Sequence, residues 1–324
     1  MAELGWLSLP FSEEDGGFGG GSLEVALVLE AFGRALVPEP LLENILAGLA
    51  LAEGGSAEQK AAHLEALIGG ETLISLAYLE PNGRQLREPL ETHATSKGEG
   101  YTLTGEKTWV SHANAADHFI VSANLEGETR LFLIPKGAAG LELQVLKTID
   151  GRRAGRLTLT GAEGELLPNS SQALLDHILD RGAAGAVAEG VGLTQRVLEI
   201  TTEYLNTREQ FGVKIGAFQV LQHRAVDMFI ETQLLRAAST ASMVLADEPE
   251  LDARLEAVSA AKVQLSVGGK RVTQESIQLH GGVGCTDEHD IGLFFKRMHA
   301  LNTLYGDEGF HLRRFSSAGS FTEA

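Results

Sequence analysis

The hydrophobic rhythm of the chain changes twice. After the glycine run "GGFGGGS", Ser22 stands where a helix N-cap belongs, and Glu24 falls in the first turn. Val25, Leu27, Val28, Leu29 and Phe32 follow before Pro38 and Pro40. This spacing predicts one helix. Residues 44–51 and 57–67 are rich in small, helix-favouring side chains, so residues 1–71 read as a helical N-terminal domain. From about Thr72 come short β-branched or alternating runs: "TLISLAYL", "YTLTGEKTWV", "HFIVSA", "RLFLIP", "LELQVL" and "RLTLTG". They predict a compact antiparallel β-domain over 72–170, with "NLEGET" as a solvent turn.

From Ser171 onward the helical period returns, in a Gly/Ala-rich run to Leu198 and in amphipathic stretches over 218–238 and 251–279. Leu221, Ala225, Met228 and Phe229 share one helical face and are expected in a bundle core. Gly268 and Gly269 inside a helix cost about 1 kcal/mol each against alanine, which the close approach of a neighbouring helix offsets. The fold class is therefore α+β, mostly α: a helical N-terminal domain, a central antiparallel β-domain and a C-terminal four-helix bundle over 171–324, the bundle topology coming from the resemblance described below.

Composition narrows the class. A chain of 324 residues that is 44% hydrophobic holds ample material for a large core. Its lone cysteine, Cys285, forms no internal disulfide, and no basic, apolar leader or bilayer-length apolar run is present. The expectation is a protein of the reducing cytoplasm with no membrane and no metal. A formal charge of −18, from 44 acidic against 26 basic residues, argues against a nucleic-acid partner. An anionic small molecule can still bind where arginines or helix N-termini make a local positive site.

Two stretches concentrate chemistry. In "NTREQFGVKIGAFQVLQHRAVDMF", Arg208 offers a guanidinium fork for phosphate or carboxylate, Gln210 an amide and Phe211 a flat apolar face. A surface ion pair is the plainer reading of Arg208. In "IQLHGGVGCTDEHD", Gly281 and Gly282 let a backbone come close to a ligand or a neighbouring subunit, or simply end a helix. No strand precedes them and the G-x-G-x-x-G spacing is absent, so this is no dinucleotide fingerprint of the Rossmann kind.

Together with "FQVLQHRAVDM", "GEKTWVSHANAADHFIVSA" and "LGWLSLPFSEEDGGFGGGSLEVALVLEAFGRAL", these motifs closely resemble the acyl-CoA dehydrogenase family along nearly the whole chain and in the same order. The resemblance implies a dimer or tetramer with FAD at a subunit interface. It further implies an acyl-CoA thioester losing an α-proton to a glutamate and a β-hydride to the flavin, with electrons passing on to an electron-transfer flavoprotein. Matched position by position, Arg208, Gln210, Phe211, Gln278, Gly281 and Gly282 reach across the interface to a neighbour's FAD. Trp109 and Ser111 lie against the isoalloxazine ring, although Trp109 serves equally as a β-domain core residue. Leu79 stands where relatives carry a flavin-facing threonine.

Counting without gaps from "FFKRM", Tyr305 falls where the family has its catalytic glutamate. Asp307 and Glu308 are the nearby carboxylates, but a displacement of about 1 Å can cost roughly a hundredfold in rate. A second family position for the base corresponds to Gly182, with Asp180 nearby on another helical face. The pattern points to a subunit of a heteromer that lends FAD contacts without its own base. The alternatives are a self-sufficient homo-oligomeric dehydrogenase using Asp307 or Glu308, and a scaffold without flavin. The N-terminal domain is short for the family, so either the sequence is truncated or the acyl pocket is more open and accommodates a bulky acyl group.

Overall fold

The computed structural model describes residues 1–98 and 100–318. The chain forms two units, Met1–Val25 with Glu39–Gly182, and Ala26–Pro38 with Ala183–Ala324.

In the first unit, helix α1 (Ser22–Ala35) contributes only its opening turn. Helix α2 (Leu41–Gly54) is buried on almost every face, which explains why its sequence shows little amphipathic period. Helix α3 (Ala57–Ile68) begins with a capping box in which Ser56 and Gln59 satisfy each other's backbone N–H. The Asn44 side chain accepts from the Ile74 N–H at 3.0 Å, tying α2 to the first strand.

Seven strands follow: β1 (Ile74–Ala77), β2 (His93–Lys97), β3 (Gly100–Ser111), β4 (His118–Leu125), β5 (Glu128–Pro135), β6 (Leu141–Lys147) and β7 (Arg153–Leu166). The pairings β4–β2–β3–β7–β5 return to β4, so five strands close on themselves, with β1 and β6 attached outside the ring. Closure removes exposed edges and wraps a core of Leu103, Phe119, Val121, Phe132, Ile134 and Leu157. The antiparallel expectation holds for most pairs, while β1 and β2 each run parallel to β4. "NLEGET" is the β4–β5 turn, with Glu126 and Gly127 at positive φ.

The second unit is helical: the remainder of α1, most of α4 (Gln172–Thr207), α5 (Gln219–Leu245), α6 (Leu251–Gln264), α7 (Lys270–His280), α8 (Ile291–Leu301) and α9 (Glu308–Ser316). The stretch expected as one helix over 251–279 is interrupted by a π-turn at Leu265–Gly269. A Cβ on Gly269 would stand 2.9 Å from the Met298 Cε, so α8 does come as close as the glycine pair suggested. Of the four expected core positions on α5, only Met228 is buried, while Leu221 and Ala225 are half-buried. Met228 is 1% exposed, but Phe229 is 52% exposed, because the buried stripe of α5 runs through Met228, Thr232 and Leu235 and leaves Phe229 a third of a turn outside it.

Candidate functional site

In the second unit, α4 ends at Thr207 and a hairpin of β8 (Glu209–Gln210) and β9 (Val213–Lys214) follows. Its tip is Phe211 and Gly212, both at positive φ, the backbone that a two-residue hairpin turn requires. Phenylalanine is a poor residue for that conformation, and here it is also 91% exposed. Arg208 is exposed, and among the described residues its guanidinium has no hydrogen-bond or ion-pair partner. The Gln210 amide donates only to the carbonyl of Glu209.

The second segment ends α7. Gln278 is exposed, and Gly281 has φ 61 and ψ −139, a region that side chains exclude. Gly282 needs no such backbone, and a Cβ there would meet nothing within 4 Å. Among the described residues, nothing therefore calls for a glycine at 282. The structure brings the two segments together at their roots. The Tyr204 ring stacks on His280 with centroids 4.4 Å apart, and the Tyr204 hydroxyl donates to the His280 carbonyl at 3.4 Å. One turn later, the Arg208 N–H donates to the Tyr204 carbonyl.

In the first unit, Leu79, Trp109 and Ser111 also share a locality. The Thr108 N–H donates to the Leu79 carbonyl at 2.9 Å. A register shift between Lys107 and Val110 puts Trp109 at positive φ and turns its ring outward, 56% exposed rather than in the barrel core. Beneath them lies a buried ion pair that the sequence did not single out. Lys107 Nζ donates to Glu80 Oε1, the Tyr78 carbonyl and the Ser122 hydroxyl. Burial pushes the Glu80 carboxyl up, but Lys107 and bonds from Thr92 and Glu91 outweigh it and hold the group at about 2. Burial pulls Lys107 down to about 8, with Glu80 pushing back. Both groups are charged at neutral pH.

The loop after Glu80 carries a second missed device. Arg87 is buried and donates to Asp180 at 2.9 Å and to Asp176 at 3.1 Å, fastening the loop to α4. Asp180 is thereby engaged in an ion pair. A charged residue in an otherwise polar loop gives no sequence signal of burial.

The base position sits in the turn between α8 and α9. Lys262, wholly buried on α6, donates to the carbonyls of Leu301 and Leu304 at 2.8 and 2.7 Å. His311 Nε2 donates to the Tyr305 carbonyl at 3.1 Å, and its Nδ1 lies 3.3 Å from the Ser259 hydroxyl. Tyr305 is itself buried, at φ 58. Asp307 is the N-cap of α9, its carboxylate accepting from the Phe310 N–H at 2.8 Å, and Glu308 is exposed in the first turn.

Three family models match the chain in order: the acyl-CoA dehydrogenase N-terminal domain over residues 1–71, the middle domain over 75–161 and the C-terminal domain over 173–318. The acyl-CoA dehydrogenase FadE27 of Mycobacterium tuberculosis is 30% identical over 323 residues, spanning 97% of this chain and 85% of that protein. This chain belongs to the acyl-CoA dehydrogenase family. Two solved members are similar throughout. The Tcur3481–Tcur3483 steroid ACAD superposes with a TM-score of 0.89 at 30% identity, covering 97% of this chain and 85% of that one. The ChsE4–ChsE5 complex from Mycobacterium tuberculosis gives 0.88 at 29% identity, with the same coverages of 97% and 85%. Acyl-CoA dehydrogenases are oxidoreductases of CH–CH donors, and this chain has their fold and all three of their domains. Among the described residues no helix is long and apolar enough to cross a membrane, and no cluster of His, Cys, Asp or Glu is placed to hold a metal.

Proposed function

We propose that this chain is one subunit of a heteromeric, cytoplasmic acyl-CoA dehydrogenase that desaturates an acyl-CoA thioester at its α,β bond. In this reading it lends half of an FAD site to its partner and lacks the family's usual glutamate base. The observation that carries the proposal is the lending surface: an exposed, unpaired Arg208 beside a 91% exposed Phe211, in a chain of net charge −18. A cation and an aromatic left bare in this way fit the dinucleotide of a neighbouring protomer.

FAD is the cofactor that the family implies, and when bound it accepts the hydride. Arg208 would pair with its phosphates, Gln210 and Gln278 would supply amide hydrogen bonds, and Phe211 would cover an apolar face. The open backbone at Gly281 and Gly282 would admit the diphosphate. In the same-chain half, Ser111 keeps one hydroxyl and Trp109 one aromatic wall, while Leu79 offers none of the hydrogen bonding of a threonine.

The residues at both family base positions support the missing base. Gly182 has no side chain to take a proton, and a neutral phenol such as that of Tyr305 is no general base near neutral pH. The Asp307 carboxylate is occupied in capping α9, and Glu308 lies in solvent. Resemblance to the steroid ACAD and to the ChsE4–ChsE5 complex supports a bulky acyl group and a partner of the same family. An electron-transfer flavoprotein is the proposed electron acceptor.

The test is to purify the chain alone and as the assembly recovered from its native host through a tag on this chain. FAD content and acyl-CoA-dependent reduction of an artificial acceptor are then measured. The expected result is turnover only in an assembly containing a second acyl-CoA dehydrogenase-type subunit. Full turnover with stoichiometric FAD by the lone chain would establish the self-sufficient enzyme instead, and a colourless assembly would establish the scaffold.

A further inference from the structure

The stack at the root of the lending surface contains a third ring. His289 lies 4.5 Å from His280, centroid to centroid, with the two rings tilted. The hydrogen bonds fix how both imidazoles carry their protons. His280 Nδ1 contacts the Ser276 carbonyl at 2.8 Å, and a carbonyl only accepts, so Nδ1 holds the proton and Nε2 is a bare acceptor. His289 Nδ1 accepts from the Ile291 N–H, so its own proton sits on Nε2. His280 is 2% exposed, and among the described residues its Nε2 has no partner. A second proton on His280 would place an N–H with no acceptor in a buried position.

We propose that neutral His280, held between Tyr204 and His289, is the positioning residue of the lending surface: it locks the end of α4 to the end of α7, so that Arg208 and Gly281–Gly282 meet a neighbour's diphosphate as one rigid face. The inference rests on the lending role proposed above. Tyr204 stacks on His280 and, one turn from the hairpin, accepts the Arg208 N–H, while His280 is the residue immediately before the glycines. The groups that face His280 are Tyr204 from α4, Ser276 from its own helix and His289 from the following turn. None of them is an acidic side chain that could hold an added proton. Burial keeps His280 below the usual imidazole value, the Ser276 bond pushing it back and His289 lowering it further. Acidification therefore breaks the lock and does not tighten it.

The test compares wild type with His280→Phe, which keeps a ring against Tyr204 and removes both nitrogens. Amide-exchange protection of residues 209–214 and 281–285 is measured on the purified chain at about pH 7.5 and about pH 5.5. In wild type, both segments are expected to lose protection together on acidification, by roughly five- to tenfold, the equivalent of one hydrogen bond. In His280→Phe, which keeps the stacked ring and cannot be protonated, both segments stay at the high value and the pH dependence is gone. His280→Asn removes the ring, and in it both segments are expected to start at the low value with no pH dependence. Loss confined to 281–285, or an unchanged pH dependence in both variants, overturns the proposal. FAD release from the assembly separates the two readings. If Arg208→Ala leaves FAD retention unchanged, the lending role fails. If Arg208→Ala releases FAD and His280→Asn does not, the lock fails.

Discussion

Lys107 Nζ stands 2.8 Å from Glu80 Oε1 with both side chains withdrawn from solvent, and this contact helps join the two segments that carry Leu79 and Trp109. Glu80 also accepts the backbone N–H groups of Leu90, Glu91 and Thr92, so its carboxylate holds the end of the loop 81–92. Removing one partner of a buried pair leaves the other charge uncompensated. Lys107→Met is therefore expected to destabilise the chain by about 3–5 kcal/mol, and the double change Lys107→Met with Glu80→Gln by less than the sum of the two single changes. Chemical denaturation of the three variants reads this coupling directly.

The same pair sets an acid limit. The folded Glu80 carboxyl is held at about 2 against 4.5 when free. The unfolded chain therefore binds the extra proton first as pH falls, and the stability this carboxylate contributes is complete above about 4.5 and lost towards 2. Glu80→Gln should flatten the denaturation midpoint across that window, and an unchanged acid limb would remove Glu80 from the account.

Lys262 adds a dependence of the same sign in a higher pH window. Burial pulls its amine down to about 7 from 10.5, with Asp307 pushing weakly the other way. Between those two values the unfolded chain carries one proton more, so stability rises with pH from about 7 towards 10.5. Lys107 acts in the same direction, which makes the comparison with Lys262→Met the informative one. That variant should show a shallower rise in melting temperature between about pH 7 and pH 9.

Asp307 separates a cap from a catalyst. Asn caps a helix as well as Asp does, whereas Ala does not. Asp307→Ala is expected to lose about 1 kcal/mol and Asp307→Asn almost nothing, with turnover of the assembly unchanged by the amide. Loss of turnover in Asp307→Asn at full stability would make Asp307 the base.

How far this molecule could be read from its residues depended on whether the signal was local. The helix at Ser22, the capping sequence before α3 and the turn at Glu126–Gly127 are written in neighbouring residues, and all three formed as their chemistry requires. β2 escaped notice because "HATSK" buries only Ala94 and is built from polar residues that alternate with nothing apolar. The glycine pair signalled the close approach of α8 through Met298, but not that the helix widens into a π-turn at Leu265–Gly269. For the candidate site, motif order singled out the residues proposed above to contact a neighbour's FAD. The ion pairs Lys107–Glu80 and Arg87–Asp180 did not show, because a buried charge and a surface charge are the same letter until the partner is in place.

The strongest packing constraint in the second unit is reciprocal. A Cβ on Gly33 of α1 would lie 1.8 Å from the Glu189 carbonyl oxygen of α4, and a Cβ on Gly192 would lie 1.8 Å from the Glu30 carbonyl oxygen of α1. The two helices thus cross backbone against backbone, each using a glycine as the other's socket. Even a methyl group at either position must force the helices apart, because the obstacle is main chain and cannot swing aside. The nearby pair of Glu189 with Arg297, bonded at 2.7 and 2.6 Å and almost fully buried, would be strained by the same movement. Gly192→Ala is expected to destabilise by about 3 kcal/mol or more, although alanine is the better helix former by about 1 kcal/mol. Gly292, half-buried on α8 with nothing within 4 Å of its Cβ position, is the control, and Gly292→Ala should stabilise the chain slightly. Equal melting temperatures for the two variants would show that α1 and α4 do not cross at this separation.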